Sequence, residues 1–351
     1  MEPNRNGVNM KTKILSVKEL QICADILNAG GLVAVPTETV YGLAADALNP
    51  TAVKNIFKAK GRPSDNPLIV HISDFSQIDN LVKDIPDSAK HLAETFWPGP
   101  LTMILKKSSI VPYETSGGLD TVAIRFPSNE IMRNLIRLTG KPLAAPSANL
   151  SGKPSPTKFA HVVKDLNGKI DAIIDGGNCE FGVESTVISL VTNPPRILRP
   201  GNVTPEQIKS ILPNAIIDPA ITKGLSQNDI ALSPGMKYKH YAPEADIIMI
   251  DGSSEAYANY VNNQNDNVGI WALCFDEDTK KLSVPCISYG KENDYLNQAN
   301  LFFDSLRKID ELSNIKKVYA HCPKLKGVGL AVYNRLIRAA GFNVIKIDDI
   351  N

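Results

Sequence analysis

The chain has 351 residues, 43% of them hydrophobic and 21% charged, which is ordinary for a globular protein of one large or two ordinary domains. Its net charge of +1 excludes a strongly basic protein that would bind nucleic acid through its overall charge, although a local basic face stays open. The five cysteines lack C-x-x-C spacing, which argues against a zinc site and a disulfide framework and favours reduced thiols.

The first dozen residues are polar, and no apolar run reaches the roughly 18 residues that a membrane-spanning helix needs. We therefore expect a soluble, cytoplasmic protein without a membrane partner.

Short apolar strands and amphipathic helices alternate irregularly over the first 215 residues. Helices are predicted at 17–29, 51–60, 89–96, 130–138 and 205–212. Strands are predicted at 32–35, 68–72, 101–105, 122–126, 143–145, 170–174 and 186–190. Several strands follow one another without a helix between them, so the sheet is predicted to be mixed rather than purely parallel.

Periodicity fails from about residue 218 to 243, where prolines and glycines interrupt polar sequence. Beyond this stretch, strands are predicted at 247–250, 268–273, 284–288, 318–321 and 344–347, with helices at 297–312 and 329–340. This alternation predicts a small parallel α/β domain. We place the two domains at 15–215 and 246–351, joined by an interdomain linker at 216–245.

Two cations follow the second predicted helix, where Gly61 and Pro63 fix a turn that presents Lys60 and Arg62. Cations at a helix C-terminus are commonly solvated and only offset the helix dipole, which is the simpler reading of the neighbouring Lys58. Arginine also offers a planar fork of donors for phosphate, and lysine offers a point charge. The turn is therefore a candidate phosphate site.

Other polar groups end or enter predicted strands. Arg125 lies inside an apolar strand, an expensive place for an unpaired charge, and a ligand carboxylate would be a suitable partner. His71 ends a strand, where a histidine is most often a satisfied core residue. Thr37, Ser147, Asn149 and Ser185 have equally ordinary readings as turn or edge residues. Only their recurrence at strand ends favours a ligand site.

The sequence lacks the signature motifs of several enzyme classes. The sequence contains no G-x-x-x-x-G-K-[ST] loop, no G-x-G-x-x-G after a strand and no G-x-S-x-G around a serine. The five histidines lack H-x-x-x-H spacing, which argues against a zinc enzyme.

Eight motifs in order resemble those of the YrdC-type L-threonylcarbamoyladenylate synthase family: PTETVYGL, KGRPSDNPLIVHI, WPGPLT, TVAIRFP, APSANLSG, PSPT, GVESTV and ILRPG. The later string SPGMKYKHYAP and the α/β segment after it resemble the long, two-domain form of that family. The resemblance covers about residues 15 to 350. It implies an α/β fold with α+β character in the N-terminal domain: a twisted, mixed-sheet YrdC-like domain, then a smaller Rossmann-like parallel domain.

The resemblance also implies a reaction, in which L-threonine, bicarbonate and ATP, with Mg²⁺, give L-threonylcarbamoyladenylate and pyrophosphate. A downstream threonylcarbamoyl transferase complex would use this product to modify tRNA. Whether this chain itself contacts tRNA stays open. Matching positions imply two sets of binding residues and no assigned catalytic residue or metal ligand. The threonine-binding set is Thr37, His71, Arg125, Ala145 and Ser185. The ATP-binding set is Lys60, Arg62, Ser64, Asn66, Thr121, Ser147, Asn149, Ser155, Arg199 and Tyr238.

Two alternatives stay open at this point. A concave basic groove would also suit a non-catalytic protein that binds double-stranded RNA or tRNA, although the chain has no basic run. A carbamoyltransferase of the hydrogenase-maturation type is also related, but those proteins are longer and carry segments absent here. The aromatic density of the linker around Tyr238 further predicts that this segment closes over the site.

Overall fold

The computed structural model describes residues 11–223, 241–264 and 269–347. In these ranges, an 11-stranded mixed sheet occupies the N-terminal part of the chain. Its strands are β1 (Lys13–Ser16), β2 (Val33–Val35), β3 (Gly42–Asp46), β4 (Ile69–His71), β5 (Leu101–Lys106), β6 (Thr121–Arg125), β7 (Leu143–Ala144), β8 (Ala172–Asp175), β9 (Thr186–Ser189), β10 (Arg196–Arg199) and β11 (Ile216–Ile217). Their order is β1-β8-β2-β3-β7-β4-β6-β5-β9-β10-β11, with parallel and antiparallel pairs, which confirms the predicted mixed sheet.

Nine α-helices belong to the same described part of the chain. They are α1 (Leu20–Asn28), α2 (Pro50–Lys60), α3 (Ile78–Leu81), α4 (Asp87–Phe96), α5 (Tyr113–Ser116), α6 (Glu130–Thr139), α7 (Phe159–Leu166), α8 (Pro205–Ile211) and α9 (Ala220–Lys223). None of the helices in the described ranges is both long and apolar enough to cross a bilayer.

The second sheet is entirely parallel and has five strands in the order β14-β13-β15-β12-β16. They are β12 (Asp246–Asp251), β13 (Ile270–Cys274), β14 (Cys286–Ser288), β15 (Lys317–His321) and β16 (Val344–Lys346). The helices are α10 (Ser254–Asn262), α11 (Tyr295–Glu311) and α12 (Gly329–Ala339). The predicted parallel α/β domain is confirmed.

The structure contains elements that the sequence pattern did not predict, notably β1, β3, β10, α7 and α10. Strand β3 reads Gly-Leu-Ala-Ala-Asp, a composition with low strand propensity, and it forms because β2 and β7 pair with it on both sides. Such tertiary pairing leaves no local signal.

The residues at the two ends of helix α2 determine where the helix begins and ends, and therefore where the candidate phosphate turn lies. The Asn49 side chain caps the helix by accepting from the Thr51 and Ala52 amides at 3.0 and 3.2 Å. Pro50 occupies the first turn, and Gly61 ends the helix with a φ of +62°, which glycine adopts without strain. Lys60 therefore ends the helix, two residues before Arg62.

Regular structure extends into the range predicted as linker, because β11 pairs with β10 and α9 follows it. Within that range, residues 224–240 lie outside the described residues, and they include Tyr238.

Two of the apolar cores contain residues from both domains. Leu330 of α12 packs in the large N-terminal core. Val40 and Val183 pack in the core of the C-terminal sheet. The second domain therefore packs firmly against the first.

Candidate functional site

One pocket gathers residues from many of the motifs. Among the described residues it is lined by Thr39, Val40, Arg62, Ile69, His71, Arg125, Ala145, Pro146, Ser147, Glu184, Ser185, Arg199 and Tyr241. Seven of these were predicted from the sequence: Arg62, His71, Arg125, Ala145, Ser147, Ser185 and Arg199. We refer to this site as the cationic pocket, because three arginines reach it.

The three arginines differ in how far the protein itself satisfies them. Arg199 donates from Nε to the Ser185 carbonyl at 3.0 Å and from Nη2 to Ser185 Oγ at 3.1 Å. Arg62 makes one long bond, to the Pro67 carbonyl at 3.5 Å, and its buried Nε has no hydrogen-bond partner in the described residues. Burial lowers the pKa of both guanidinium groups to about 10, so both stay charged at neutral pH.

Arg125 is paired within the protein. Its Nη2 lies 2.6 Å from Glu38 Oε1, and its Nη1 donates to Thr39 Oγ1 at 2.9 Å. The sequence pointed to a ligand carboxylate as the partner of this buried charge; Glu38 already fills that role. Burial opposes ionisation of Glu38, but the charge of Arg125 and hydrogen bonds outweigh it and lower the carboxyl pKa.

His71 faces Arg125 across the β4–β6 pair. Its Nδ1 lies 3.2 Å from the Ile69 carbonyl. Burial, reinforced by the charge of Arg125, lowers the His71 pKa to about 3. His71 is therefore neutral at physiological pH and can offer a pocket ligand hydrogen bonding but no charge.

Lys60 is more buried than the sequence predicted. The sequence placed it on a turn that presents it, whereas it is 2% exposed. Its Nζ donates to the Ser147 carbonyl and to the Asn149 carbonyl, the latter at 2.6 Å. Burial lowers the Lys60 pKa well below its usual value. Lys60 thus holds the 147–149 loop, which supplies a wall of the pocket.

Two further predicted residues join the pocket through hydrogen bonds. Ser155 donates to Glu184 Oε1 at 2.6 Å. Thr37 accepts from the amides of Thr39 and Val40 at 3.1 and 3.2 Å, which is the turn that its simpler reading predicted.

Four further predicted residues, Ser64, Asn66, Thr121 and Asn149, are absent from the pocket lining. Ser64 is exposed. Asn66 is buried, and its Oδ1 has no partner in the described residues. Thr121 begins β6 and Arg125 ends it, so roughly 13 Å of strand separates them. Their roles as nucleotide contacts stay predictions, and Tyr238 falls outside the described residues.

Sequence reasoning missed four polar groups at this site: Glu38, Thr39, Glu184 and Tyr241. Three of them lie inside the quoted motifs PTETVYGL and GVESTV, and an acidic residue within an apolar motif was a usable signal. Tyr241 lies inside the string SPGMKYKHYAP, near its end, and is 2% exposed in the pocket wall. Burial raises its pKa to about 12, so the phenol stays protonated.

The donor set does not fit a resident metal ion. In the described ranges, no three or more histidine, cysteine, aspartate or glutamate side chains come together as metal ligands. The two pocket carboxylates, Glu38 and Glu184, are instead paired with Arg125 and Arg335.

Comparison with known proteins gives a consistent result. Residues 25–201 match the Sua5/YciO/YrdC family, described as telomere recombination, and residues 203–341 match the threonylcarbamoyl-AMP synthase C-terminal domain. Threonylcarbamoyl-AMP synthase of Pyrococcus abyssi is 46% identical over 349 residues, covering 97% of this chain and 99% of the relative. The Bacillus subtilis threonylcarbamoyl-AMP synthase is 46% identical over 342 residues, covering 95% and 97%.

A solved structure agrees in fold over the full length. The crystal structure of P. abyssi Sua5 complexed with L-threonine superposes with a TM-score of 0.88 at 43% identity, covering 96% of this chain and 100% of that one. The chain therefore belongs to the Sua5/YciO/YrdC family, in the two-domain form of the threonylcarbamoyl-AMP synthases.

Proposed function

We propose that the chain is an L-threonylcarbamoyladenylate synthase, a nucleotidyltransferase that uses L-threonine, bicarbonate and ATP. The observation that carries the proposal is the full-length likeness to synthases at 46% identity, in a chain in which seven of the predicted binding residues line one cationic pocket. We place the nucleotide and threonine sets at one site, a placement supported by the hydrogen bonds from Arg199 of the first set to Ser185 of the second.

L-Threonine would occupy the part of the pocket around Arg125, His71, Ala145 and Ser185. The threonine complex of the P. abyssi relative supports this ligand. Neutral His71 can donate or accept a hydrogen bond, while the Arg125 guanidinium attracts the amino acid carboxylate. Because Glu38 already pairs with Arg125, the carboxylate would share that arginine or displace Glu38.

ATP phosphates would bind Arg62, whose Nε is unpartnered in the described residues, together with Arg199. Lys60 supports the 147–149 loop from behind rather than reaching the phosphates. Mg²⁺ would enter as part of the Mg–ATP substrate, since no described cluster of side chains offers it a protein cage.

The chemistry follows from these parts. The threonine amine attacks the carbon of bicarbonate, forming a carbamate and releasing water. A carbamate oxygen then attacks the α-phosphorus of ATP, its bond to the bridging oxygen breaks, and pyrophosphate leaves with the electron pair. The protein's contribution is to hold the two anions in line and offset their charge, which is how phosphoryl-type transfers are mainly accelerated.

We further propose that the product serves a separate transferase that modifies tRNA, and that the reaction takes place in the cytoplasm. The five cysteines are free thiols, which is compatible with a reducing compartment. The alternative of a non-catalytic RNA-binding protein predicts no turnover, so one assay separates the two.

The test measures pyrophosphate release with ATP, threonine and bicarbonate, and omits each reactant in turn. We expect release only with all three, and a lower rate with serine, because an empty methyl subsite costs about 1 kcal/mol or more. Arg62→Ala should reduce kcat/KM by about 10-fold or more through loss of a charge-assisted contact. Exposed Lys58→Ala is the matched control. RNA binding without pyrophosphate release would reject the proposal.

A further inference from the structure

The second domain supplies a fully buried arginine to the back of the pocket wall. Arg335 of α12 is 0% exposed. Its Nε donates to Glu184 Oε2 at 3.0 Å, and its Nη2 to the Glu184 carbonyl at 3.3 Å. Its Nη1 donates to the Pro200 carbonyl at 2.5 Å. One guanidinium fork therefore joins two separate segments of the first domain.

Those two segments carry pocket groups. Ser185 follows Glu184, Arg199 precedes Pro200, and Arg199 bonds both the carbonyl and the hydroxyl of Ser185. The two segments also pack directly against each other at Gly201. The approach is so close that a Cβ added to Gly201 would lie 2.4 Å from the Thr186 amide nitrogen. Their relative position thus decides where the Arg199 guanidinium and the Ser185 hydroxyl point.

Glu184 extends the connection to a third segment, since its Oε1 accepts from Ser155 Oγ at 2.6 Å. The charged and titratable groups that face its carboxylate are Arg335 from α12, Arg199 from β10 and Tyr241. Burial opposes ionisation, but the charges of Arg335 and Arg199 and the bonds from Ser155 and Arg335 outweigh it and lower the Glu184 pKa to about 2.

We infer that Arg335 is a positioning residue for the synthase reaction: the second domain completes the pocket by fixing Glu184 and Pro200, and through them Ser155, Ser185 and Arg199. This inference rests on the proposed function. It gives the C-terminal domain a role in the geometry of the site that a lid alone would not have.

The test compares Arg335→Met, Arg335→Lys and Glu184→Gln with the wild-type chain in the pyrophosphate assay. Removing one partner of a buried charge pair should lower kcat/KM for ATP by about 30-fold or more in Arg335→Met. Arg335→Lys keeps the charge without the fork and should lose less. The double variant Arg335→Met/Glu184→Gln should be little worse than either single variant, because the two residues act together.

The pH profile separates positioning from simple structural support. Without Arg335, the buried Glu184 carboxyl should protonate nearer neutrality, so kcat/KM of Arg335→Met should fall on acidification where that of the wild type is flat. Arg335→Lys should restore the flat profile, and the double variant should lack this acid limb.

The control is Asp304→Asn, which weakens another interdomain contact: Asp304 of α11 lies 2.8 Å from Lys158 and 3.2 Å from His161. It should lower thermal stability while kcat/KM of the folded protein stays within about twofold. An Arg335→Met variant that behaves like Asp304→Asn would overturn the positioning role. If Arg335→Met does not fold, an Arg335→Lys variant with wild-type kinetics would overturn it. A wild-type chain that releases no pyrophosphate would reject the proposed function, and the inference with it.

Discussion

The two sheets of this protein differ in whether their polar side chains are satisfied within the protein. At the carboxyl end of the parallel sheet, His321 lies 2.7 Å from Asp278 and 3.1 Å from the Gly252 carbonyl, and its ring stacks on Tyr257 at 4.4 Å. In the mixed sheet, three arginines converge on a pocket, and two of them, Arg62 and Arg125, have a buried Nε without a hydrogen-bond partner among the described residues.

This difference shows that sheet topology alone does not locate the site. The carboxyl edge of a parallel sheet is the usual place for a ligand, yet here its polar groups satisfy one another beneath aromatic rings. The irregular sheet leaves donors directed at a pocket. The second domain contributes to that pocket from behind, through α12, and not through its own strand ends.

Removing the second domain tests this comparison most severely. A chain ending at residue 223 would leave the buried carboxylates Glu184 and Asp165 without Arg335 and Arg307. Water would reach the two carboxylates on the freed face, but Val40 and Val183 would lose their apolar cover. We expect the free energy of unfolding in urea to fall sharply and pyrophosphate release to be lost. A truncated chain with the melting temperature and turnover of the full chain would show that the domains are independent.

Lys60 tests whether the pocket loop is held from within the first domain. Lys60→Met leaves the Ser147 and Asn149 carbonyls without this donor, and we expect a loss of about 2–3 kcal/mol in the free energy of unfolding. Activity should fall as well. Lys58→Met, at the exposed end of the same helix, should change stability by at most about 0.5 kcal/mol. Equal, small effects of the two substitutions would show that Lys60 does not hold the 147–149 loop.

Gly201 tests the close approach of the two pocket segments. In Gly201→Ala the added Cβ would meet the Thr186 amide nitrogen at 2.4 Å and the Glu184 carbonyl at 2.7 Å, so backbone must shift. We expect about 2 kcal/mol of destabilisation and a reduced kcat/KM. Gly252→Ala, at the strand end of the other sheet, meets mainly the Ile347 side chain at 2.6 Å and should leave kcat/KM unchanged. The reverse order of kinetic effects would argue against the first sheet as the site.

The smallest effect concerns His71 and stability at mildly acid pH. Its folded pKa of about 3 lies below the ordinary value of 6.5, so only the unfolded chain gains this proton as pH falls. The contribution of His71 to the free energy of unfolding is therefore intact above pH 6.5 and is lost on acidification. Between pH 7 and 5.5 the loss is about 1 kcal/mol. Urea unfolding at both pH values should show this pH dependence in the wild type and its reduction in His71→Asn. Identical pH dependence in the two proteins would mean that His71 titrates alike in the folded and the unfolded chain.

Much of the site could be predicted from sequence because its residues sit in short motifs at strand ends. Arg62, His71, Arg125, Ser147, Ser185 and Arg199 were all predicted and all line the pocket. The settings of Arg125 and Lys60 could not be predicted. Glu38 and the 147–149 carbonyls reach them only after distant segments come together.

The sequence by itself determined the two-domain order, the mixed and parallel character of the sheets and the family, because apolar periodicity and motif order are local properties of the chain. Tertiary structure alone decided β3, which neighbouring strands hold against its own propensity, and the partners of the buried charges Lys60 and Arg125. It also decided that Arg335, separated from Glu184 by 151 positions, completes the pocket wall. Burial makes an unpaired charge costly, so the fold brings opposite charges together across long sequence distances that no local pattern records.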